Sequence, residues 1–456
     1  MESFMSTSLA SEACASHPPH VEAGDVLSAI AAKRDGASLS AQSIECVVRG
    51  YTEGRIPDYQ MAAWLMAVAC RGMNDAETTA LTKAYIDSGV RLEFADHRRP
   101  LIDKHSTGGV GDKTTLFVAP VVAACGVSVM KISGRGLDFA GGTVDKLESI
   151  PGLRIDLDHE QILEVLDRTR MVVVGQNTRL VPADGATYAL RDVTGSVESL
   201  PLIAASVMSK KIAAGTDGAV IDVKYGSGAL VGDIARAEEL GRLMIRIGSA
   251  FGLPCRVVLS DMGQPLGRAV GNALEVKEAL SALRGDQVPG FTELGHVLAV
   301  EMLCLAEPGL MRQAAEARVR DAVSSGRALA VFRAWVAGQG GDARVVGNPD
   351  LLPTATRVDV VPASWSGWIS DVDARAVGKL ALRLGAGRLR QEDRVDHAVG
   401  VVLRRRVGDE VRQGEPLAEV HWRGDADPEA VSAEATAAFT IDSRPVEPRS
   451  GVHSVL

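Results

Sequence analysis

The stretch KHSTGGVGDKTT, Lys104–Thr115, gathers three glycines, two lysines, one histidine and four hydroxyl side chains into twelve residues. Glycine lets a backbone come close to a ligand, and successive N–H groups ahead of a helix form an anion nest. Here the hydroxyls of Ser106, Thr107, Thr114 and Thr115 would supplement it. Phosphate is the natural guest. A nucleotide P-loop is disfavoured, because Asp112 separates Gly111 from Lys113 where GxxxxGK[ST] requires direct adjacency. A dinucleotide loop fails too, since no GxGxxG closes a strand here. A second stretch, SGRGLDFAGGTVDKLE (Ser133–Glu148), follows the run VSVMKI and again sets hydroxyls, Ser133 and Thr143, beside glycine backbone. Two loops after two strands, facing one anion, would make a single cradle. A third group lies further on: Ser206 and Lys210 are i, i+4 in LIAASVMSKK and project from one helix face, and Tyr188 and Arg191 are three apart.

These residues need a scaffold, and the chain has the material for one. It has 456 residues, of which 46% are hydrophobic, enough for two or three domains with substantial cores. From about 21 to 92 the pattern is helical. Ile44, Val47, Val48 and Tyr51 fall on one face, and Asn74 with Glu77 has the form of a capping box. Beyond about residue 93, the runs VSVMKI, MVVV and CRVVLS alternate with helical patterns and glycine turns, the signature of an α/β domain with a largely parallel sheet. The expected organisation is a disordered tail over 1–20 and a small all-helical domain over 21–92, completed by about 180–214. An α/β domain over 93–179 and 215–347 follows, then NPDLLP as a linker and a C-terminal α+β domain over 354–456. In that last domain GDEVRQGEPLAEV resembles the hairpin of a lipoyl-type carrier. No lysine occupies its tip, so a structural use is expected.

Composition excludes several classes. A net charge of -9 and 4% aromatic residues give no sign of a nucleic-acid surface, so an anion must be held locally. The apolar run Leu116–Met130 is broken by Pro120 and Gly126 and falls short of the roughly 20 residues of a membrane span. Cysteines at 14, 46, 70, 125, 255 and 304 form no CxxC, against a zinc site or a disulfide framework. No basic, apolar leader opens the sequence, so the cytoplasm is the expected compartment. The segment MAAWLMAVAC is apolar nearly all round and is expected to be buried on every side or to meet a second subunit.

KHSTGGVGD, then SGRG with AGGT and DKLE, then YALRDVTGSVESLPLIAASVMSKK, resemble in this order the thymidine and pyrimidine-nucleoside phosphorylases, a likeness that runs from about residue 25 to the end. The resemblance implies phosphorolysis of a pyrimidine nucleoside by inorganic phosphate, with no organic cofactor, to free base and α-(deoxy)ribose 1-phosphate. It assigns Lys104, Ser106, Thr115, Ser133 and Thr143 to phosphate, and His105, Tyr188, Arg191, Ser206 and Lys210 to the base. His105, Arg191 and Lys210 are its catalytic candidates. Guanidinium, ammonium and hydroxyl donors suit carbonyl oxygens on a base that gains negative charge as it leaves. Lys131, two residues before Ser133 on the same strand, is expected on the same side and near the sugar. In the resembling family lysine there accompanies broad specificity, so uridine, deoxyuridine and thymidine are the expected substrates; a homodimer is the expected assembly because the small helical domain cannot easily cover the apolar helix around MAAWLMAVAC alone.

Two further points follow from the resemblance. Asp138, Phe139 and Ala140 stand where many members carry Gly-His-Thr, so any contact of that histidine is absent or replaced. Gly111, Leu266, Ala269 and Glu278 match positions that hold a structural cation, such as potassium, in some members. The alternatives are a thymidine phosphorylase restricted to deoxynucleosides, and an AMP or anthranilate phosphoribosyl-type transferase of the same architecture. The latter needs a site for a 5′-phosphate or pyrophosphate, against which the Tyr188, Arg191, Ser206 and Lys210 set argues. A non-catalytic binding protein on this fold would be expected to lack Lys104, Arg191 or Lys210, and all three are present.

Overall fold

The computed structural model describes residues 25–456 except 95, 96, 98, 99, 137, 138, 177, 178, 389, 391, 392, 425 and 426. The expected tail over 1–20 and Asp138 therefore lie outside the described residues. The chain opens with four helices, α1 (Val26–Arg34), α2 (Ala41–Thr52), α3 (Asp58–Arg71) and α4 (Asp75–Asp87). Side chains settle where three of them start. Asp25 and Ser40 accept from backbone N–H groups of α1 and α2, and Asn74 and Glu77 form a reciprocal capping box at α4 with both bonds at 2.9 Å. Glu77 also accepts from Lys33 Nζ and the Leu39 N–H, each at 2.8 Å, so one buried carboxylate ties α1, the following turn and α4 together.

This helical layer is not built from residues 26–87 alone. Five parallel strands form the body of the six-stranded main sheet: β1 (Leu101–Ser106), β2 (Ser128–Ser133), β3 (Met171–Gly175), β4 (Gly218–Tyr225) and β5 (Cys255–Asp261). Between β1 and β2 runs α5 (Thr114–Ala124); α6 (Thr143–Glu148) and α7 (His159–Thr169) follow β2. After β3 the chain returns to the helical layer as α8 (Pro182–Thr194) and α9 (Leu200–Ala213), then goes back to the sheet at β4. Ala183, Leu202 and Ala205 share one core with Trp64, Leu65 and Tyr85. The chain thus crosses between the two layers three times, at 88–100, 176–181 and 214–217. The crossings are stitched to one another by Val90 N–H to Arg179 O and Leu92 N–H to Ala213 O, both 2.9 Å. Gly215, at φ +68°, sits where a Cβ would lie 2.1 Å from the Leu92 carbonyl oxygen, so only glycine fits.

The strand order is β5-β4-β1-β2-β3, all parallel, with Val452–Val455 added antiparallel to β5 at the edge. β1 to β3 progress in one direction and β4 and β5 in the other, so the order reverses between β1 and β4. In such sheets ligands bind beyond the carboxyl ends of the strands at this switch point. The residues of β1, β2 and β4 are nearly all buried, as expected when helices cover both faces.

The C-terminal part carries two small sheets. One joins Gly367–Val372 with Glu410–Val411 and Phe439–Asp442; the other joins Ala269–Val270, Gly400–Leu403, Pro416–Trp422 and Arg357–Pro362. The expected boundary at 354 needs correction at two places. Val452–Val455 belongs to the main sheet, and Ala269–Val270, from the α/β region, pairs into the C-terminal one. The carrier-like stretch is not a simple hairpin either, because its arms Glu410–Val411 and Pro416–Trp422 enter different sheets.

Candidate active site

Lys104, His105 and Ser106 are the last three residues of β1, and Lys131 and Ser133 lie at the end of β2, so all five stand at the carboxyl edge beside the switch point. Opposite β1, strand β4 contributes Asp222, in register with Ser106, and Lys224. Lys224 Nζ donates to Asp222 Oδ2 at 2.8 Å and to Ser260 Oγ at 3.2 Å, while Ser260 Oγ donates to Asp222 Oδ1 at 2.5 Å. Burial works to lower the pKa of Lys224, and the Asp222 and Asp112 carboxylates outweigh it, so the ammonium is held above its ordinary value. Lys104 Nζ lies 3.8 Å from the same Asp222 oxygen and donates to Thr114 Oγ1. Burial draws its pKa down, with Asp112 and Asp222 opposing.

Asp112 orders the glycine loop. Its Oδ1 accepts from the Thr114 N–H at 3.1 Å and from Thr114 Oγ1 at 2.6 Å. Burial alone would raise this carboxyl, but Lys104, Lys224 and hydrogen bonds from Ser106 and Thr114 hold it well below the usual carboxylate range. Thr114 and Thr115 are the first residues of α5, so Thr115 sits where the helix leaves N–H groups unpaired. Ser106 Oγ accepts from the Gly108 N–H at 3.2 Å. The second loop closes tightly: a Cβ on Gly142 would lie 2.2 Å from the Arg135 carbonyl carbon and the Gly136 nitrogen, which brings Thr143, first residue of α6, back toward Ser133. Asp145 fastens this loop by accepting from the Gly136 N–H at 2.6 Å and from Arg388 Nη1 at 2.8 Å. Phe139 stands at one of the three departing positions. The Arg375 guanidinium stacks over its ring at 4.7 Å, and its carbonyl approaches Gly378, so the C-terminal part holds the loop through these contacts.

The third group comes from α8 and α9. Lys210 Nζ donates to Ser206 Oγ and Ser206 O, each at 2.9 Å, and is paired with Asp184 Oδ2. Arg191 is fully buried and donates to the carbonyls of Leu202 (3.2 Å), Val197 (2.8 Å) and Ser196 (3.5 Å). Three of its five N–H groups thus brace the turn between α8 and α9 and the first turn of α9. Tyr188 stacks at 5.4 Å from the Arg191 guanidinium, and burial pushes its hydroxyl up to about 12. From the neighbouring face of α9, Lys211 Nζ donates to Asp103 Oδ2 at 2.6 Å, a wholly buried pair joining the helix to β1.

His105 is where the groups meet. The residue is partly accessible, yet its Nδ1 is enclosed and has no hydrogen-bond partner among the described residues. Burial first, then the positive charges of Lys211, Lys131, Lys104 and Lys210, hold its pKa well below the usual histidine value. Lys131, drawn well below its ordinary value by burial and Lys211, donates to the Ile132 carbonyl at 2.9 Å. Ser133 Oγ is likewise buried without a partner among the described residues. Buried polar atoms in native proteins are almost always paired, so open valences beside a lysine cluster mark a place for a ligand.

Sequence spacing pointed to the hydroxyls and to Ser206 with Lys210, but not to their carboxylate partners Asp112, Asp184 and Asp222. A signal existed for Asp222 and Lys224, two charges in the otherwise apolar strand GAVIDVKY. The residues matched to a cation site, Gly111, Leu266, Ala269 and Glu278, do converge, around the Nζ of Lys113.

Three family models match this chain: "Glycosyl transferase family, helical bundle domain" over 27–89, "Glycosyl transferase family, a/b domain" over 98–329, and "Pyrimidine nucleoside phosphorylase C-terminal domain" over 368–442. Among similar proteins, the pyrimidine-nucleoside phosphorylase of Geobacillus stearothermophilus is 47% identical over 389 residues, covering 85% of this chain and 90% of the relative. The enzyme of the same name from Staphylococcus aureus (strain USA300) is 46% identical over the same shares. Among solved structures, the anthranilate phosphoribosyltransferase of Thermus thermophilus superposes with a TM-score of 0.56 at 21% identity, over 68% of this chain and 99% of that one, a likeness of fold alone.

Proposed function

Because the chain belongs to the pyrimidine-nucleoside phosphorylase family and is an enzyme of the pentosyltransferase type, we propose that it catalyses reversible phosphorolysis of uridine, deoxyuridine and thymidine to the free base and α-D-(deoxy)ribose 1-phosphate. The observation that carries this reading is where His105 sits: on β1 between Lys104 and Ser106, two residues from Asp103, whose carboxylate binds Lys211 of α9 at 2.6 Å and so brings the helix of Ser206 and Lys210 to the strand. A cluster suited to an anion and a cluster suited to a base thus meet at one side chain, as an in-line displacement at the sugar between them requires.

Phosphate lies with Lys104, Ser106, Thr115, Ser133 and Thr143. Its oxygen forms the new bond to the anomeric carbon while the bond to the base nitrogen breaks and the electron pair passes into the pyrimidine ring. Negative charge then grows on the base carbonyls, where Lys210, the Ser206 hydroxyl, Arg191 and Tyr188 meet it. Arg191 is already fixed by three carbonyls, whereas the three N–H bonds of Lys210 go to Asp184 Oδ2, Ser206 O and Ser206 Oγ, so the ammonium turns one of them to the base as the charge grows. His105, held neutral, contacts the base as an uncharged hydrogen-bonding group. Lys131 addresses the sugar edge, and its ability to donate to a 2′-hydroxyl favours the broad substrate range over the deoxynucleoside-restricted reading. Inorganic phosphate is the co-substrate and no organic cofactor takes part.

A homodimer in the cytoplasm fits the remaining observations. On α3, Met61, Trp64, Leu65 and Val68 are buried, whereas Tyr59, Ala63, Met66 and Cys70 recur at helical spacing on the exposed side. That stripe is apolar enough to meet its own copy. No helix among the described residues is long and apolar enough to cross a membrane. The function is tested by measuring phosphate-dependent release of uracil and thymine from their nucleosides and deoxynucleosides. No release from any of them would overturn it, and release from thymidine and deoxyuridine but not uridine would leave the restricted enzyme.

A further inference from the structure

Three of the four residues expected to hold a structural cation, Leu266, Ala269 and Glu278, already have their oxygens engaged. Lys113 Nζ donates to the Leu266 carbonyl at 2.7 Å, the Ala269 carbonyl at 3.0 Å and Glu278 Oε2 at 2.6 Å. An ammonium has three N–H bonds and no acceptor, so these oxygens satisfy it completely. The lysine side chain is 0% exposed and Glu278 only 9%. The surroundings are closed as well. A Cβ on Gly267 would lie 2.4 Å from Glu278 Oε2 and 2.9 Å from the ammonium, and one on Gly111 would lie 2.8 Å from the Leu266 oxygen. A second positive ion among the same oxygens would have to displace a charge that the chain itself delivers. These residues therefore do not fit a free cation.

The position of that charge matters. Lys113 directly precedes α5, which begins with Thr114 and Thr115, and the neighbouring Val110 carbonyl accepts from the Leu266 N–H at 3.0 Å. Residues 265–270 in turn reach the C-terminal sheet, with Ala269 in register with Val402, and Arg406 Nη1 donates to the Pro265 carbonyl at 3.0 Å. The ammonium thus pins the first glycine loop to the segment that joins the α/β and C-terminal parts.

We propose that Lys113 is a tethered substitute for a monovalent cation: its ammonium occupies the cage of Leu266, Ala269 and Glu278 oxygens, and the stability of this protein is independent of potassium. The inference does not depend on which nucleosides are substrates. Because the charge is covalently attached, no ion has to be recruited when the loop is set in place.

The test uses the full chain exchanged into tetramethylammonium chloride, whose cation is too bulky for such a cage, with potassium chloride then substituted at constant total chloride. Thermal midpoints are followed by circular dichroism. The parent midpoint should stay within about 1 °C throughout, whereas Lys113→Ala should start lower and rise saturably with potassium, or with ammonium, by about 3 °C or more. Lys113→Gln, whose amide can still donate to one carbonyl, is the milder opening and should rise in the same way if the alanine variant does not fold. A parent midpoint that climbs saturably with potassium would overturn the proposal. So would opened variants that fold but respond to potassium no more than to tetramethylammonium.

Discussion

Replacing Lys210 by alanine removes two things at once, and the structure says how to separate them. The first is the donor proposed for the departing base, an ammonium whose three N–H bonds go to Asp184 and Ser206 until the base draws one away. Losing one preorganised donor to a developing anion costs about 10²–10³ in kcat, roughly 3–4 kcal/mol of transition-state stabilisation. The second is the partner of Asp184, a carboxylate whose side chain is 1% exposed and whose other oxygen already lacks a hydrogen bond among the described residues. Stranding a buried carboxylate costs about 3 kcal/mol, the low end of the range for breaking a buried pair, since Lys210 is itself 17% exposed. Lys210→Ala should therefore fall in both kcat and urea midpoint. Adding Asp184→Asn removes the stranded charge, so the double variant should recover most of the midpoint while kcat stays low. Uracil release from uridine at saturating phosphate gives the first quantity and urea denaturation the second. The reasoning fails if Lys210→Ala turns uridine over within twofold of the parent. It fails equally if Lys210→Ala/Asp184→Asn restores kcat along with stability, because the lysine would then act only through the fold.

Lys104→Ala should raise the KM for phosphate, and for arsenate in parallel, with the fold retained because Asp222 keeps Lys224 at 2.8 Å; unchanged phosphate kinetics would remove Lys104 from the cradle. Lys131→Met should lower kcat/KM for uridine more than for thymidine, and equal losses would refute its role at the sugar. His105 carries a pH prediction. Its folded pKa is depressed, so as pH falls below the ordinary value of 6.5 the unfolded chain takes up a proton that the folded chain does not, and stability drops by up to about 1.4 kcal/mol per pH unit until the folded pKa is reached. His105→Gln should lose that contribution, visible as a shallower acid limb in urea midpoints measured between about pH 6.5 and 5; an identical limb would contradict it. Light scattering at micromolar concentration should give a dimer mass, and Met66→Glu on the exposed stripe of α3 should shift it toward monomer.

What could be read in the sequence divides along a physical line. Glycine loops, capping residues and i, i+4 neighbours are local, so the Asn74–Glu77 box, the hydroxyls near β1 and β2 and the pairing of Ser206 with Lys210 follow from spacing. Partners brought together by the fold do not. Asp103 meets Lys211, and Lys113 meets Glu278, only because strand order and helix packing bring distant segments into contact. Lys113 shows the limit most sharply. In the sequence it is merely a lysine one residue too late for a P-loop, and only the fold shows which oxygens its charge meets. Val181 is a second case. It enters α8 at φ 46°, a conformation that β-branched residues avoid, and no propensity would place it there.

The three crossings between the layers have a consequence for how this chain is made. Residues 26–87 leave the ribosome before their partners, yet the core they enter needs Ala183, Leu202 and Ala205, and the buried Tyr85 hydroxyl waits for Thr187 at 2.9 Å. Meanwhile β1, β2 and β3 emerge before β4, the strand that lies against β1 on its other side. The helical layer cannot close until synthesis has passed about residue 205, nor the sheet until it has passed about 225, so the N-terminal helices cannot complete a domain of their own before the sheet begins. A chain cut after residue 92 is then not a small helical protein but four helices with an unfilled core, a natural substrate for chaperones and proteases.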